Sequence, residues 1–506
     1  MSLPAPPAKS MTVMNIADAL NHRCMCKTLD VDQLRQELER DPSLQGMASG
    51  IATAQPHLFS SSVVFLSPTT YQAIKDTIAS IERVMQLPAY QALALKSAPA
   101  IAQTSFGPLG AFMGYDFHVD TSQVPPKEPQ LIEINTNAGG ALLNAALARA
   151  HRACCTPMSA AMNTYVNLDT LEQTFFEMFM NEWRLQRGNT PLKTVAIVDD
   201  APDAQYLAPE FALCRQMFEQ RGVTAIITDP QALQWRDGQL WHHSAAADTA
   251  IDLVYNRLTD FDLSAPTHRT LHAAYVAGGA VVTPHPHAHA LRANKQHLIT
   301  LSDDALLRDW GVSSADRTCL SAAIPTTQRV TREHADALWA QRKQLFFKPV
   351  AGYASKAAYR GDKLTKRVWE EILAGNWGDF IAQALVPPGQ RLVNVDGVAT
   401  DLKFDIRAYT YGGQIQLLAA RTYTGQTTNF RTQGGGFSPV VVLPDLAFSN
   451  SKTLSDSQSE AVSHNADIST NSCMSACSFA WSPSPSPFPS YASHQPADAP
   501  ISRNPP

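Results

Sequence analysis

Long apolar runs are missing from this chain. A membrane-spanning helix takes about 20 consecutive apolar residues, and no stretch of the sequence supplies them. The opening MSLPAPPAKSMTVMNIADAL has no continuous apolar core, so no signal peptide is read and a cytoplasmic protein is expected. A charge excess is missing too. Forty Lys and Arg against 45 Asp and Glu leave a net charge of −5. That gives no electrostatic basis for nucleic acid or a membrane surface as the main partner. Cysteine is sparse for 506 residues: Cys24 and Cys26 form a C-x-C, Cys154 and Cys155 are adjacent, and Cys473 and Cys477 lie near the end. A disulfide scaffold needs a short cysteine-dense chain and a zinc site usually shows C-x-x-C pairs, so reduced thiols are expected, several of them buried. Two phosphate-binding loops are also absent. The turn VDDAPDAQ holds no G-x-G-x-x-G, and the small-residue loop after Lys348 is not followed by G-K-[ST].

What is present divides the chain. Its length suits roughly two to four domains. Residues 15–100 show apolar residues at three- and four-residue spacing, as in TYQAIKDTIASIERVMQ, which predicts helices. GAFMGYDFHVD and QLIEIN predict strands, with helices following as ALLNAALARAHRAC and TLEQTFFEMFMNEWRLQ. From Lys193 to about 295, short apolar strands alternate with helices (TVAIVDD, PEFALCRQMFEQRG, VTAIITD, IDLVYNRL, THRTLHAAYVAGG, AVVTP), predicting a parallel, Rossmann-like unit. Beyond about 300 come LFFKPV, DFIAQALV, FDIRAYTYGG and QIQLLAARTY, read as antiparallel strands, with YGGQI as a hairpin turn. Residues 446–506 collapse into Ser, Pro, Asn and Asp, a composition that predicts disorder.

Several stretches carry chemistry. In LIEINTNAGG, positions two apart share a strand face, so Glu133, Asn135 and Asn137 should gather opposite Ile132, Ile134 and Thr136. With Asp116 on the preceding strand they form an oxygen-rich set suited to magnesium. The plainer alternative is a polar strand face with Asn137 capping the next helix. Lys348 ends the strand LFFKPV, before a loop with Ser355 and Lys356 that could cradle polyphosphate or simply be a surface turn. Gln383, Ala384 and Leu385 precede a Pro-Pro-Gly turn, where extended backbone could meet the edge of a flat base. Asp405 and Arg407 share a strand face, as an arginine aimed at phosphate or as a cross-strand ion pair. Arg257 follows IDLVYN at the strand end where open α/β sheets bind ligands. It could grip a carboxylate or pair with Asp260 or Asp262. His285, His287 and His289 in HPHAHAL could bind metal, but the proline and the preceding strand favour a loop face.

Together these motifs resemble the ATP-grasp ligases, over roughly residues 100–444. The resemblance implies two antiparallel sheets holding ATP, with Asp116, Glu133 and Asn135 as Mg²⁺ ligands. It implies Lys295, Lys348, Ser355, Lys356, Gln383, Ala384 and Leu385 at ATP, and Asn137 and Arg257 at the substrate. Because the Glu-x-Asn segment precedes the rest of the core, the order is similar to that of circularly permuted members such as the eukaryotic-type glutathione synthetases and glutathionylspermidine synthetases. Some members carry an arginine where Gly114 stands, so Arg407, Arg421 or Arg431 would supply that charge, and Asn429 would lie near the reacting groups. The expected fold class is mixed α/β and α+β, a circularly permuted ATP-grasp fold. Its expected parts are a helical and permuted region (1–192), an inserted Rossmann-like substrate domain (193–295), nucleotide-binding subdomains (296–445) and a disordered tail (446–506). The implied activity is an ATP- and Mg²⁺-dependent ligase joining a small acid or peptide to an amine or thiol through an acyl phosphate. The alternatives are a kinase or an inactive nucleotide-binding module.

Overall fold

The computed structural model describes residues 14–120, 127–154, 156–162, 165–351, 357–376, 378–443 and 447–448. Ser355, Lys356 and nearly all of the 446–506 segment lie outside the described residues.

A seven-stranded sheet organises the chain. Its order runs Val64–Leu66, Gly436–Val442, Gln414–Tyr423, Val398–Tyr411, Met113–His118, Gln130–Asn135, with Gly389–Val395 also pairing with the long Val398–Tyr411 strand. All these pairs are antiparallel except the first, which is parallel. The long strand turns into Gln414–Tyr423 through Gly412 and Gly413, both with positive φ, while Tyr411 pairs with Gln414. Two such residues give the tight turn whose twist matches a hairpin, and glycine adopts them without steric cost. One face of this sheet is covered by the helix Pro68–Met85. Ser67 caps it by accepting the Thr70 N–H, and its Ile74, Ile78 and Ile81 are buried. That spacing puts the three isoleucines on one helix face.

Residues 194–283 supply a separate four-stranded parallel sheet, ordered Val281–Thr283, Leu253–Asn256, Thr194–Val198, Thr224–Thr228. Its central strands are buried end to end, as parallel strands covered on both faces should be. The helix Leu171–Arg187 packs between this sheet and the seven-stranded one: Phe175 and Phe179 meet Phe112, and Phe179 also meets Tyr255. A third sheet is small and antiparallel, ordered Thr327–Arg329, Phe380–Ala384, Leu345–Pro349, Tyr359–Arg360. It has its own core, in which Phe347 packs edge-on against Trp369 of the helix Lys366–Leu373. A cleft therefore separates two antiparallel sheets, and the carboxyl ends of the parallel strands open beside it.

Candidate active site

Two adjoining cavities occupy that cleft. The first, about 320 Å³, lies between the small sheet and the seven-stranded sheet. The second, about 540 Å³, runs on toward the parallel sheet. Glu133, Lys295, Arg421 and Thr428 line both, so they mark the junction.

Strand pairing builds the junction. Asp116 lies directly opposite Glu133, and Gly114 opposite Asn135. On its other side Asp116 faces Arg407, and Asp405 faces Arg421 one strand further. A one-residue register shift falls between Asp116 and Phe117, so that Phe117 pairs with Leu131. Such a bulge re-aims side chains. Leu131 and Ile134 are consequently both in the core, while Ile132 and Glu133 both line the first cavity. The simple alternation expected for Ile132 and Glu133 is corrected here, and the bulge is its reason. Asn137 lies beyond the strand and does not cap the next helix. Glu210 does that, accepting the N–H groups of Gly140 and Leu142.

Asp116 is nearly inaccessible and accepts four hydrogen bonds: from Arg407 Nε (2.7 Å) and Nη2 (2.6 Å), Arg421 Nη2 (2.9 Å) and Asn135 Nδ2 (3.0 Å). Burial alone would raise its pKa, but the two guanidiniums outweigh that and hold it well below the usual carboxylate range. Arg421 also donates to Asp405 (2.7 Å), which takes a further bond from the Thr428 hydroxyl. Glu133 is more open, with Lys295 at 3.8 Å. Against the penalty of burial, Lys295 and more distant cations keep it ionised and its pKa below the ordinary value. A Cβ at Gly114 would stand 2.7 Å from the Ala138 methyl, so a larger residue there, an arginine included, would collide with Ala138.

Lys348 is buried and donates to the Ile132 carbonyl (3.0 Å) and to Gln383 Oε1 (2.8 Å), leaving one of its three N–H groups for a ligand. Burial pulls its pKa down to about 8. Gln383 thus positions the lysine. Ala384 and Leu385 line the first cavity, but their N–H groups are spent on the carbonyls of Thr326 and Gln344. The wall continues as an apolar surface through Val386, Pro387 and Pro388.

The second cavity ends at Arg257. Its guanidinium is buried, donating to the Asn137 side-chain oxygen Oδ1 and to the Tyr255 hydroxyl, while Nε has no hydrogen-bond partner among the described residues. Asn137 in turn donates to the carbonyls of Arg257 (2.9 Å) and Leu258 (3.2 Å). The ion pair with Asp260 is not formed, because Asp260 accepts from His268, Ser264 and the Ala265 N–H. Asp199, across the same cavity, has its pKa raised by burial to about 6, with Arg257 opposing the rise.

Two expectations about nearby residues change. Asn429 lines neither cavity: it bonds the Thr424 and Thr427 carbonyls, the Arg431 N–H and the Thr432 hydroxyl, holding its own loop together. Its neighbours Thr428 and Phe430 are the residues that reach the cavities. The three histidines open a helix, Pro286–Arg292, instead of a loop. His285 caps it, His287 bonds the Ala102 carbonyl, and His289 stacks on Phe261 at 3.9 Å while bonding Thr136. Each ring thus bonds a different partner, and no metal cluster forms from them among the described residues. His118, Thr428 and Asp199 were missed, since no spacing marks them. Arg431 has no place in either cavity lining.

No protein-family model matches the chain, and no curated protein matches it in sequence. Solved structures do. A glutathione synthetase-like effector from Globodera pallida, in its apo form, is 10% identical with a TM-score of 0.50, covering 83% of this chain and 100% of that one. A protein described as a gamma-glutamylcysteine synthetase from Methylobacillus flagellatus is 11% identical over 74% of this chain and 87% of that one, at a TM-score of 0.41. The D-alanyl-alanine synthetase A of Vibrio cholerae is 14% identical over 50% and 89%, at 0.27. Only the first reaches 0.50, and at 10% identity it is a likeness of fold. That fold is of the ATP-grasp type.

Proposed function

We propose that this chain is an ATP- and Mg²⁺-dependent ligase that joins a small carboxylic acid to an amine or thiol, built on a circularly permuted ATP-grasp core. The observation that carries this reading is the junction: Glu133, Lys295, Arg421 and Thr428 line both cavities, so a nucleotide in one and an acid in the other would meet there. ATP would lie in the first cavity, its base against Leu385 to Pro388 and its phosphates toward Lys348 and Lys295. The donor set fits magnesium, a hard ion that takes carboxylate and carboxamide oxygens alongside phosphates. Glu133 and Asn135 offer the open oxygens. Asp116, with four N–H groups on it, chiefly orients Arg407 and Arg421. Bound magnesium would screen phosphate charge.

The acid would enter the second cavity with one carboxylate toward Arg257, which Asn137 holds in place. Its reacting carboxylate oxygen attacks the γ-phosphorus at the junction and ADP departs. The amine or thiol then attacks the acyl carbon and phosphate departs. Arg421 and Arg407, fixed by Asp405 and Asp116, stand where negative charge grows in both steps.

Saturation of Asp116 favours one second reading, a module that binds nucleotide without turnover. A screen of amino acids, polyamines and small peptides for release of ADP and phosphate separates the two. Amine-stimulated release supports the ligase. ATP binding with no stimulated release across the screen supports the module.

A further inference from the structure

A second set of residues lies away from this cleft, where the helix Ile16–Arg23 and the chain after it pack on the strands Val64–Leu66 and Gly389–Val395. Cys24, Cys26 and Cys154 meet here, with sulfur atoms all within 4.8 Å of one another. Among the described residues this is the one group of three or more His, Cys, Asp or Glu side chains brought so close. Cys24 is buried, whereas Cys26 and Cys154 are partly exposed. The sequence hides the group, because C-x-C supplies two members and the fold brings the third from far along the chain.

The same spot holds Arg391, fully buried and stacked over Phe65 at 5.4 Å. Its partners are backbone carbonyls, those of Val63, Leu20, Asn21, Cys24 and Leu392. No carboxylate pairs with it among the described residues. A buried guanidinium normally requires a negative partner, since carbonyl dipoles alone repay little of its lost hydration.

We propose that Cys24, Cys26 and Cys154 form a structural zinc site whose charge is balanced by Arg391. Zn²⁺ favours thiolates at about 2.3 Å in tetrahedral geometry, which puts neighbouring sulfurs roughly 3.8 Å apart, inside the observed spread. Three thiolates on Zn²⁺ carry one net negative charge, and Arg391 neutralises it. Each thiol gives its proton to solvent on binding, so affinity rises with pH. The fourth ligand would be a water on the side of Cys26 and Cys154, the two partly exposed thiols. The ion would tie the chain after the helix Ile16–Arg23 to the chain after the helix Ala141–Arg149, with Arg391 of the strand Gly389–Val395 beside it.

The test uses the full chain carrying Cys473→Ser and Cys477→Ser, stripped of metal under reducing conditions and titrated with Co²⁺, then Zn²⁺. One equivalent of Co²⁺ per chain should bind, with sulfur-to-cobalt charge-transfer absorption that Zn²⁺ abolishes. Cys26→Ser and Cys154→Ser should each weaken binding by about 100-fold or more, with far-ultraviolet circular dichroism unchanged. Both positions are partly exposed, so they serve even where Cys24→Ser fails to fold. Absence of the one-equivalent charge-transfer band overturns the site, and so does a band that persists unweakened in both variants.

Discussion

Asp116→Asn tests whether one carboxylate holds the junction's two arginines. The substitution keeps the side chain's size and removes its charge. Asp116 accepts two bonds from Arg407, one from Arg421 and one from Asn135, and all three ionic side chains are largely inaccessible. Arg421 retains Asp405, but Arg407 has no ion pair with another carboxylate among the described residues. Leaving a buried charge uncompensated costs about 3–5 kcal/mol, whereas removing both partners costs far less. Asp116→Asn should therefore lose about 3–5 kcal/mol in urea unfolding, and Asp116→Asn/Arg407→Met should recover much of that loss. The pH dependence has a definite sign. The folded pKa of Asp116 is depressed, so its contribution is complete above the unfolded carboxylate value of about 3.9 and is lost as pH falls toward the lower folded value. That acid limb should shrink in Asp116→Asn. A single mutant within about 1 kcal/mol of the parent, or a double mutant that loses more than the single, would refute the reasoning.

Other outcomes can be checked alongside. Glu133→Ala and Asn135→Ala should each abolish stimulated ATP turnover with little change in thermal unfolding, and an unchanged kcat at saturating Mg²⁺ would remove them from the site. Lys348→Ala should weaken ATP binding in calorimetry. Because burial sets its pKa near 8, parental affinity should fall as pH rises through about that value, and Lys348→Arg should lack the fall. Arg257→Ala should spare ATP affinity and raise KM for the acid. Equal loss of ATP affinity in Arg257→Ala and Lys348→Ala would erase the division between the two cavities. Ending the chain after Phe448 should preserve melting temperature and ATP affinity, as the Ser/Pro-rich composition beyond it predicts.

Much of the site was legible because motif residues in adjacent strands meet by pairing. Asp116 and Glu133 are far from remarkable singly, yet the antiparallel ladder sets them opposite each other. Asp405 and Arg407, two apart, each face an oppositely charged residue on the neighbouring strand. Other features depend on events that period-two reasoning cannot see. The register shift beside Asp116 turns Ile132 toward the cavity along with Glu133. The loop after Tyr423 places Thr428 at the junction and turns Asn429 back on its own carbonyls, a one-residue difference that only loop geometry decides. The N–H groups of Ala384 and Leu385 are taken by the carbonyls of Thr326 and Gln344, partners far along the chain that a local reading of extended backbone does not reveal.

The balance of charge at the junction bears on what can bind there. Four cations, Lys295, Lys348, Arg407 and Arg421, surround three carboxylates, Asp116, Glu133 and Asp405. A buried excess of one positive charge is costly unless an anion relieves it. The proposed ATP with one magnesium brings two negative charges, so binding answers the excess and leaves one negative charge over. That remainder favours a second cation, either another magnesium at Glu133 or an amine substrate that binds as ammonium and gives up a proton before it attacks. Neutralising Glu133 should then act in opposite directions on two quantities: Glu133→Gln should tighten ATP measured without magnesium and weaken the dependence of ATP affinity on magnesium. Calorimetric titrations of ATP with and without Mg²⁺ would show both effects, and parallel weakening in the two conditions would place Glu133 outside the phosphate-binding region.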